Sequence, residues 1–459
     1  MSTMILTVIG GGSVNWMSGL MRDVYLLDEV EGGEIRLVDP NKEHVEAVAS
    51  MLETFNKIKN KSYKISIIED QCEALKGANF VMTTFSPGAM DAFYNDLEIP
   101  IKYGIRQPVS MTVGPCGISA ALRTVSAVYE LVENMEKYCP GAWLLNVTNP
   151  MSVVINAMYK AAKTVKIIGM CHEFHAFPSL MGPILGLEKP EGMGVVEYLY
   201  KWLPAQGFDY TVAGLNHFIW LTKANLNGKD MIPVIREYAE NHWQIGEDDG
   251  DTNPFHNKCA AKLAMCRQFG YLPLAGDRHQ IEFYPSLCNP MNGYGMKYGV
   301  SKTTVDYRRH MKAQQLQDIR DIAAGKKEVS WVTEGEEMTE NMRAIINGTS
   351  NVTIVNMPNQ GQISNMHMGA IVETLATVTK DGITPHMSGD LPGSVGTLCR
   401  LHADIHELTV QAALQGDRRL VVEALSLDPS SGCADFSELT KLADELINAN
   451  KQWLPRFFK

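Results

Sequence analysis

Three short stretches of this chain end in side chains that can do chemistry. "NVTNP" carries Asn146 and Asn149, "GMCHE" carries Cys171, His172 and Glu173, and "GLNHF" carries His217. A thiol and an imidazole can ligate a divalent cation, carboxamides can orient a ring or a hydroxyl, and a carboxylate beside an imidazole can move a proton. A fourth stretch, "GYLPLAGDRHQIEF", adds Tyr271, Asp277, Arg278 and His279. It offers two candidate bases, another imidazole, and a guanidinium able to grip a carboxylate through two parallel bonds. Each has a bland reading as well. Cys171 can be a small buried hydrophobe, His217 a strand histidine with its bonds satisfied, Asp277 a turn residue capping a helix, and Arg278 the partner of Glu282 four residues on. The spacing of Cys171 and His217 does not by itself choose between a metal site and none. "CHEFH" is not the HExxH of zinc proteases, because its second histidine comes one residue early, and no GxSxG nucleophile stretch is present.

The elements that must carry these groups alternate strand and helix. Ile5–Ile9 reads as a buried strand that runs into Gly10, Gly11, Gly12 and Ser13 before a helix, and "EIRLVDP" as a second strand ending at Asp39. "NFVMTTFSPG", ending near Ser86, is a further strand, as are "AWLLNVTNP" and "VKIIGMCHE". "SAALRTVSAVYELVENMEKY" sets Leu122, Val125, Val128, Leu131, Val132 and Met135 on one helical face. This alternation predicts a parallel, doubly wound sheet of the Rossmann type. In such sheets ligands lie beyond the carboxyl ends of the strands, where Ser86, Asn146, Asn149 and the Cys171–Glu173 triplet all fall. The glycines allow a sharp turn and a close approach to a diphosphate, and Asp39 is placed for ribose hydroxyls, which favours NAD over NADP. The third glycine of the usual fingerprint is missing, with Asn15 in its place. After about residue 175 the pattern changes. "DYTVAGLNHFIWLTKANLNGKD" reads as long antiparallel strands with an Asn-Gly turn, and mixed helices follow. The expectation is an NAD-binding domain over residues 1–175 and a substrate-, metal-binding and oligomerisation domain of mixed α+β type over 176–459.

With 459 residues, 45% hydrophobic and 20% charged, the chain has ample material for a core. A net charge of −11 argues against nucleic acid and anionic membrane surfaces as partners. No stretch reaches the length of a membrane span, and "MSTMILTVIGGG" reads as a strand rather than a signal peptide. Nine scattered cysteines do not form a disulfide framework, so the expected compartment is the cytoplasm, and the sequons at Asn146, Asn347 and Asn351 read as coincidental.

Taken together and in order, "VIGGGS", "NVTNP", the Cys-His-Glu triplet, "GLNHF", "GDRHQIEF" and "VNMPNQG" resemble the family 4 glycoside hydrolases over essentially the whole chain. The resemblance implies a lactate/malate dehydrogenase-like fold, NAD and a divalent metal, usually manganese, as cofactors, a sugar as substrate, and a homodimer or homotetramer. It implies a mechanism in which NAD oxidises carbon 3 of the sugar, a base removes the proton on carbon 2, the aglycone leaves, water adds, and the hydride returns. Cys171 and His217 would hold the metal, Asp277 or Tyr271 would be the base, with Asp277 favoured, and His172 or Glu173 would protonate the leaving group. Asn149, Arg278 and His279 would contact the sugar. The triplet and "NMPNQGQ" look most like the α-galacturonidase branch, with α-glucuronidase and α-galactosidase as alternatives. "SPGAMDAFYNDLEIP" lacks the arginine with which phosphosugar members hold a phosphate, which argues against a phosphorylated substrate. Outside the family, a malate/lactate-type dehydrogenase or a non-catalytic NAD sensor would share the architecture. The first lacks its substrate arginines here, and the second leaves Cys171, His217 and the GDRH loop without a task.

Overall fold

The computed structural model describes residues 2–244, 253–332 and 337–459. Thirteen strands among these residues form one sheet: β1 (Ser2–Ile9), β2 (Val30–Val38), β3 (Ser62–Ile67), β4 (Phe80–Thr83), β5 (Trp143–Asn146), β6 (Lys166–Gly169), β7 (Phe208–Leu215), β8 (Phe218–Leu226), β9 (Lys229–Asp230), β10 (Leu272–Pro273), β11 (Ser350–Pro358), β12 (Ile371–Thr379) and β13 (Gly382–Pro385). Six run parallel in the order β3-β2-β1-β4-β5-β6, the Rossmann order, with β4 and β5 buried along their whole length as parallel strands covered on both faces should be. β11 then joins β6 antiparallel, and the path continues β12-β7-β8-β10. The sheet therefore runs unbroken across residue 175, and the second half of the chain extends the first half's sheet.

Helices cover both faces. On one, helix Gly114–Tyr138 packs with Met151–Ala161 and Gly393–Gln415 around Leu122, Val125, Val128, Leu131, Val132 and Met135, all fully or nearly fully buried. It begins five residues before the periodic stretch, because Gly114 and Pro115 start its first turn. On the other face, helix Lys42–Lys59, capped by Asn41 on the His44 amide, lies against helix Val305–Ala323, capped by Thr304 on the Tyr307 amide. The 305–323 helix thus crosses back from the second half onto the nucleotide half.

Two local features differ from the pattern in the sequence. β3 carries weak alternation and lies at the sheet edge, so its hydrophobic signal is diluted. The long strand through "GLNHF" breaks at Asn216–His217, where the chain reverses between β7 and β8 and His217 takes a left-handed φ of +61°. The predicted Asn-Gly turn follows at Asn227–Gly228, both left-handed, joining β8 to β9.

Candidate active site

The sheet register brings the distant motifs to one edge. Gly169 at the end of β6 pairs with Asn356, Asn356 with Glu373, and Glu373 with Gly214 near the end of β7. Two residues past Gly169 comes Cys171, and three past Gly214 comes His217. Buried Glu373 ties the two ends together, accepting from Asn356 Nδ2 at 2.7 Å and from Asn216 Nδ2 at 3.0 Å. Strand β10 delivers the fourth motif: Leu272 pairs with Leu221, and the Leu274 amide donates to Ile219, so the chain arrives beside the His217 turn at Ala275–Asp277.

A cluster forms there. Glu173 Oε2 accepts from the Gly276 amide at 2.8 Å, and its Oε1 lies 3.3 Å from His279 Nε2. The close approach requires a glycine, because a Cβ on Gly276 would stand 2.7 Å from Glu173 Oε2. The His279 ring packs on His217 at 3.9 Å between centroids, and His217 Nδ1 shares a 2.7 Å hydrogen bond with Thr112 Oγ1. Burial alone would raise the Glu173 carboxyl, yet the three imidazoles of His279, His217 and His172 hold it well below the usual range. Burial, and each other's charge in the case of His217, push the His217 and His279 imidazoles down. We therefore read the Glu173–His279 contact as a neutral imidazole donating to a carboxylate. His279 Nδ1 is then a buried acceptor without a partner among the described residues.

Asp277 is buried, and its two oxygens accept from the Ala261 and Lys262 amides at 3.0 and 3.1 Å, at the start of helix Ala260–Phe269. Burial pushes its carboxyl up, opposed by the Lys262 ammonium and by those amides. Tyr271 lies elsewhere. It precedes β10 by one residue, at the end of the hairpin away from His217, with the Arg236 guanidinium over its ring at 5.4 Å. At about 3.3 Å of rise per strand residue, the six positions from Tyr271 to Asp277 span up to ~20 Å. Asp277 adjoins Gly276, whose amide bonds to Glu173, so of the two it is the one the chain itself ties to the cluster.

Arg278 is not the partner of Glu282. Its guanidinium stacks on Phe255 at 4.1 Å, its Nε is buried without a hydrogen bond, and no carboxylate pairs with it among the described residues. Glu282 instead turns its Oε1 to the Val109 and Ser110 amides at 2.7 and 2.9 Å, fixing the loop that carries Thr112. Arg308, on the 305–323 helix, repeats the pattern: stacked on Phe93 at 4.7 Å, with Nη2 3.4 Å from Met111 Sδ, Nε buried and unbonded, and no acidic partner. Thr112, Glu282 and Arg308 had no signal in the sequence, since each acts on a segment a hundred or more residues away.

At the nucleotide end, Gly12 lies against Asp39. The Gly12 amide donates to Asp39 Oδ2 at 2.9 Å, and a Cβ there would stand 2.9 Å from the carboxylate carbon. Asp39 Oδ1 accepts from the Asn41 amide, so the acid is fixed at the tip of β2 beside the glycine turn, as a ribose-binding acid needs to be. Ser13 meets Thr84, while Ser86 is exposed after β4. Asn146 is wholly buried and spends its carboxamide on Thr83, Thr148 and Met151, so it acts by shaping the loop. Asn149, half-buried before a cis proline, accepts from the Met151 amide through its oxygen, and its NH2 has no hydrogen-bond partner among the described residues. His172 is exposed, with the Trp16 ring 5.7 Å away.

For a cation, His217 offers one oriented ligand, although among the described residues no three His, Cys, Asp or Glu side chains are gathered as a ready metal set. If Nδ1 donates to Thr112, Nε2 presents its lone pair, and the neutral ring that burial favours is the ligating form.

Comparison with known proteins decides the family. Residues 5–187 match the family 4 glycosyl hydrolase model and residues 212–431 the family 4 glycosyl hydrolase C-terminal domain. The chain belongs to family 4 of the glycosyl hydrolases. It is 32% identical to an alpha-galacturonidase of Bacillus subtilis, covering 97% of each chain, and 30% identical to an alpha-galacturonidase of Thermoanaerobacter italicus, covering 98% of this chain and 97% of that one. Among solved structures, a Bacillus subtilis protein named as a glucosidase, lplD, superposes with a TM-score of 0.84 at 29% identity, covering 97% of this chain and all of that one. A 6-phospho-alpha-glucosidase from gut microorganisms, solved with NAD and Mn2+, shares the fold with a TM-score of 0.80 at 20% identity, over 99% of each chain. The family 4 enzyme is thus a hydrolase. Among the described residues no helix is long and apolar enough to cross a membrane.

Proposed function

We propose that this family 4 enzyme cleaves α-galacturonides with the help of NAD and a divalent cation, manganese being the natural candidate. The observation that carries the reading is Arg278: a half-buried guanidinium with an unbonded Nε and no ion-pair partner among the described residues, beside the Glu173–His279–His217 cluster. An unpaired cation at that depth suits a sugar bearing a carboxylate and gains nothing from a neutral galactoside. The relatives named alpha-galacturonidases, at 30–32% identity over nearly the whole chain, support the same substrate class.

Gly10–Ser13, Asp39, Ser86 and the 146–149 loop would hold the dinucleotide, and Cys171 with His217 the cation. When bound, the two groups supply a hydride acceptor for carbon 3 and a Lewis acid for the oxygens of carbons 2 and 3. The chain's own groups do the rest. Arg278 grips the uronate carboxylate, while the Asn149 amide and the unprotonated Nδ1 of His279 orient hydroxyls. Asp277, with one lone pair on each oxygen still unclaimed by the helix amides, takes the proton from carbon 2. Glu173 is committed to Gly276 and His279, which leaves exposed His172 to pass a proton to the departing aglycone. Neutral at rest and hydrogen-bonded through Nδ1, His217 keeps its orientation through the cycle. A homo-oligomer in the cytoplasm is the assembly and compartment we infer.

The test is a comparison of nitrophenyl α-galacturonide, α-glucuronide, α-galactoside and 6-phospho-α-glucoside with NAD, Mn2+ and a reductant, with and without chelator. The galacturonide should be cleaved fastest, chelator should stop it, no NADH should accumulate, and product made in heavy water should carry deuterium at carbon 2. Fastest cleavage of the neutral galactoside would overturn the substrate assignment, and accumulation of NADH would overturn the reaction.

A further inference from the structure

The glycine turn is poorly equipped to meet two phosphates. The Gly10 and Gly11 amides both donate to Val38, the Ser13 amide to Gly10, and the Gly12 amide to Asp39. In the helix that follows, the Trp16 and Met17 amides already bond to Ser13, which leaves the Val14 and Asn15 amides at its start. A diphosphate carries two negative charges, and the amides left over in this turn offer at most partial compensation.

Across the cleft, the 305–323 helix supplies what is missing. Arg308 and Lys312 stand one turn apart on its inner face, whereas Arg309 and His310 between them are exposed, with Arg309 paired to Asp306. Neither inner cation has an ion-pair partner among the described residues. Burial, followed by its neighbour's charge, lowers the proton affinity of each: Arg278 acts on Arg308, and Arg308 acts on Lys312. The helix spans the two ends of the site: Arg320, two turns beyond Lys312, pairs with Glu43 in the first turn of the helix that follows Asp39, while Arg308 Nη2 meets Met111, next to the Thr112 that bonds His217. Asp39 opposes the effect of burial on Lys312, and Glu282 opposes it on Arg308. Arg308 and Lys312 stand on the stretch between those ends, with Arg308 Nε buried and unbonded. In a dinucleotide stretched from Asp39 to the reacting end, the group midway is the diphosphate.

We propose that Arg308 and Lys312 hold the dinucleotide's diphosphate from the side opposite the glycine turn, so that a helix from the second half of the chain completes the cofactor site. This rests on the NAD-dependent reading above but concerns binding alone. Two cations with no ion-pair partner among the described residues gain one with the ligand in place, and because both are only half-buried their attraction should weaken with salt.

The test measures binding without sugar, by calorimetry, on the full chain. Arg308→Met and Lys312→Met should each weaken NAD and ADP-ribose together, by roughly 10- to 100-fold, the range expected for losing one charge-assisted contact. Adenosine, which has no phosphate, should bind wild type and variants alike, and the salt dependence of NAD affinity should flatten in both variants. Arg309→Met, at an exposed position of the same helix, is the control and should leave NAD affinity unchanged. Unaltered thermal unfolding of the free variants checks that they fold, and Arg308→Lys should restore part of the affinity. NAD affinity unchanged in Arg308→Met and Lys312→Met would overturn the proposal, as would equal losses for adenosine. Should wild type itself fail to bind NAD, the cofactor reading falls, an outcome distinct from variants that bind as well as wild type.

Discussion

Two sets of buried arginine in this enzyme have opposite surroundings. Arg123, in the 114–138 helix, meets Asp96 of helix Ala89–Glu98 through two parallel bonds of 2.9 and 2.7 Å, and both side chains are almost wholly buried. The remaining donors of Arg123 go to Pro87 and Ser119, and Asn450 from the C-terminal segment joins the same carboxylate. Arg278 and Arg308 are laid on aromatic rings, with buried Nε atoms that bond to nothing. A charge taken out of water must be met by something. Where the fold meets it, the residue is scaffold. Where the fold withholds the partner, the ligand is expected to supply it.

Breaking the first set should cost the most. Asp96→Ala leaves the Arg123 guanidinium buried with no counter-charge, which typically destabilises by about 3–5 kcal/mol. Urea unfolding should show that loss, while the folded fraction cleaves substrate at the wild-type rate. A loss of activity per folded molecule matching that of a cleft mutant would erase the distinction between the two sets.

Glu282 sharpens the comparison, because its charge faces the unpaired arginines without bonding to them. Burial pushes its carboxyl up to about 7, opposed by the Ser110 and Val109 amides and by Arg278. The folded state therefore binds this proton more tightly than the unfolded one, where the carboxyl titrates near 4.5. The resulting stability is full below about 4.5, falls as pH rises, and is gone above about 7. Glu282→Gln keeps an oxygen for the two amides and removes the charge. Relative to wild type, the variant should gain stability as pH rises from 5 to 8, by ~3 kcal/mol at most. Thermal melts across that pH range would show it, and a constant difference between the two proteins would refute it.

Arg278 should behave in the opposite way to Arg123. Arg278→Ala removes a charge with no partner in the fold, so unfolding should change little. Cleavage of a galacturonide should fall by ~10- to 100-fold in kcat/KM, as for a lost charge-assisted contact, and cleavage of a neutral galactoside by far less. Equal losses on both sugars would return Arg278 to the scaffold.

The same contrast explains what the sequence could disclose. The β1–glycine–helix–β2–Asp39 unit is local, and each residue's job follows from neighbours within about thirty positions, so strand, turn and acid were readable. The resemblance put Glu173 and His279 at one site, but their contact with each other and with Gly276 was not readable, because nothing in either segment's periodicity points at the other. Tyr271 and Asp277 stand six residues apart in one motif, and only the register of β10 on β8 separates them. The partners that choose between scaffold and site, Asp96 for Arg123 and none for Arg278, are pairings made by tertiary packing across 27 or more positions. Residue type does not reveal them.

Thr112 offers the smallest and most specific test. It lies 105 positions from His217 and shares the only hydrogen bond to its Nδ1 among the described residues. A hydroxyl that accepts from Nδ1–H fixes the tautomer in which Nε2 can ligate, and losing such a partner commonly costs tenfold or more in metal affinity. Thr112→Val keeps the shape and removes the acceptor. Mn2+ affinity should fall by ~10-fold, whereas NAD affinity, governed at the far end of the cleft by Asp39 and the glycine turn, should hold. Excess Mn2+ should then restore the wild-type turnover. A kcat that stays low at saturating metal would mean that the hydroxyl acts on the sugar, and that the His217 side of the cleft, like the Arg278 side, is completed by substrate.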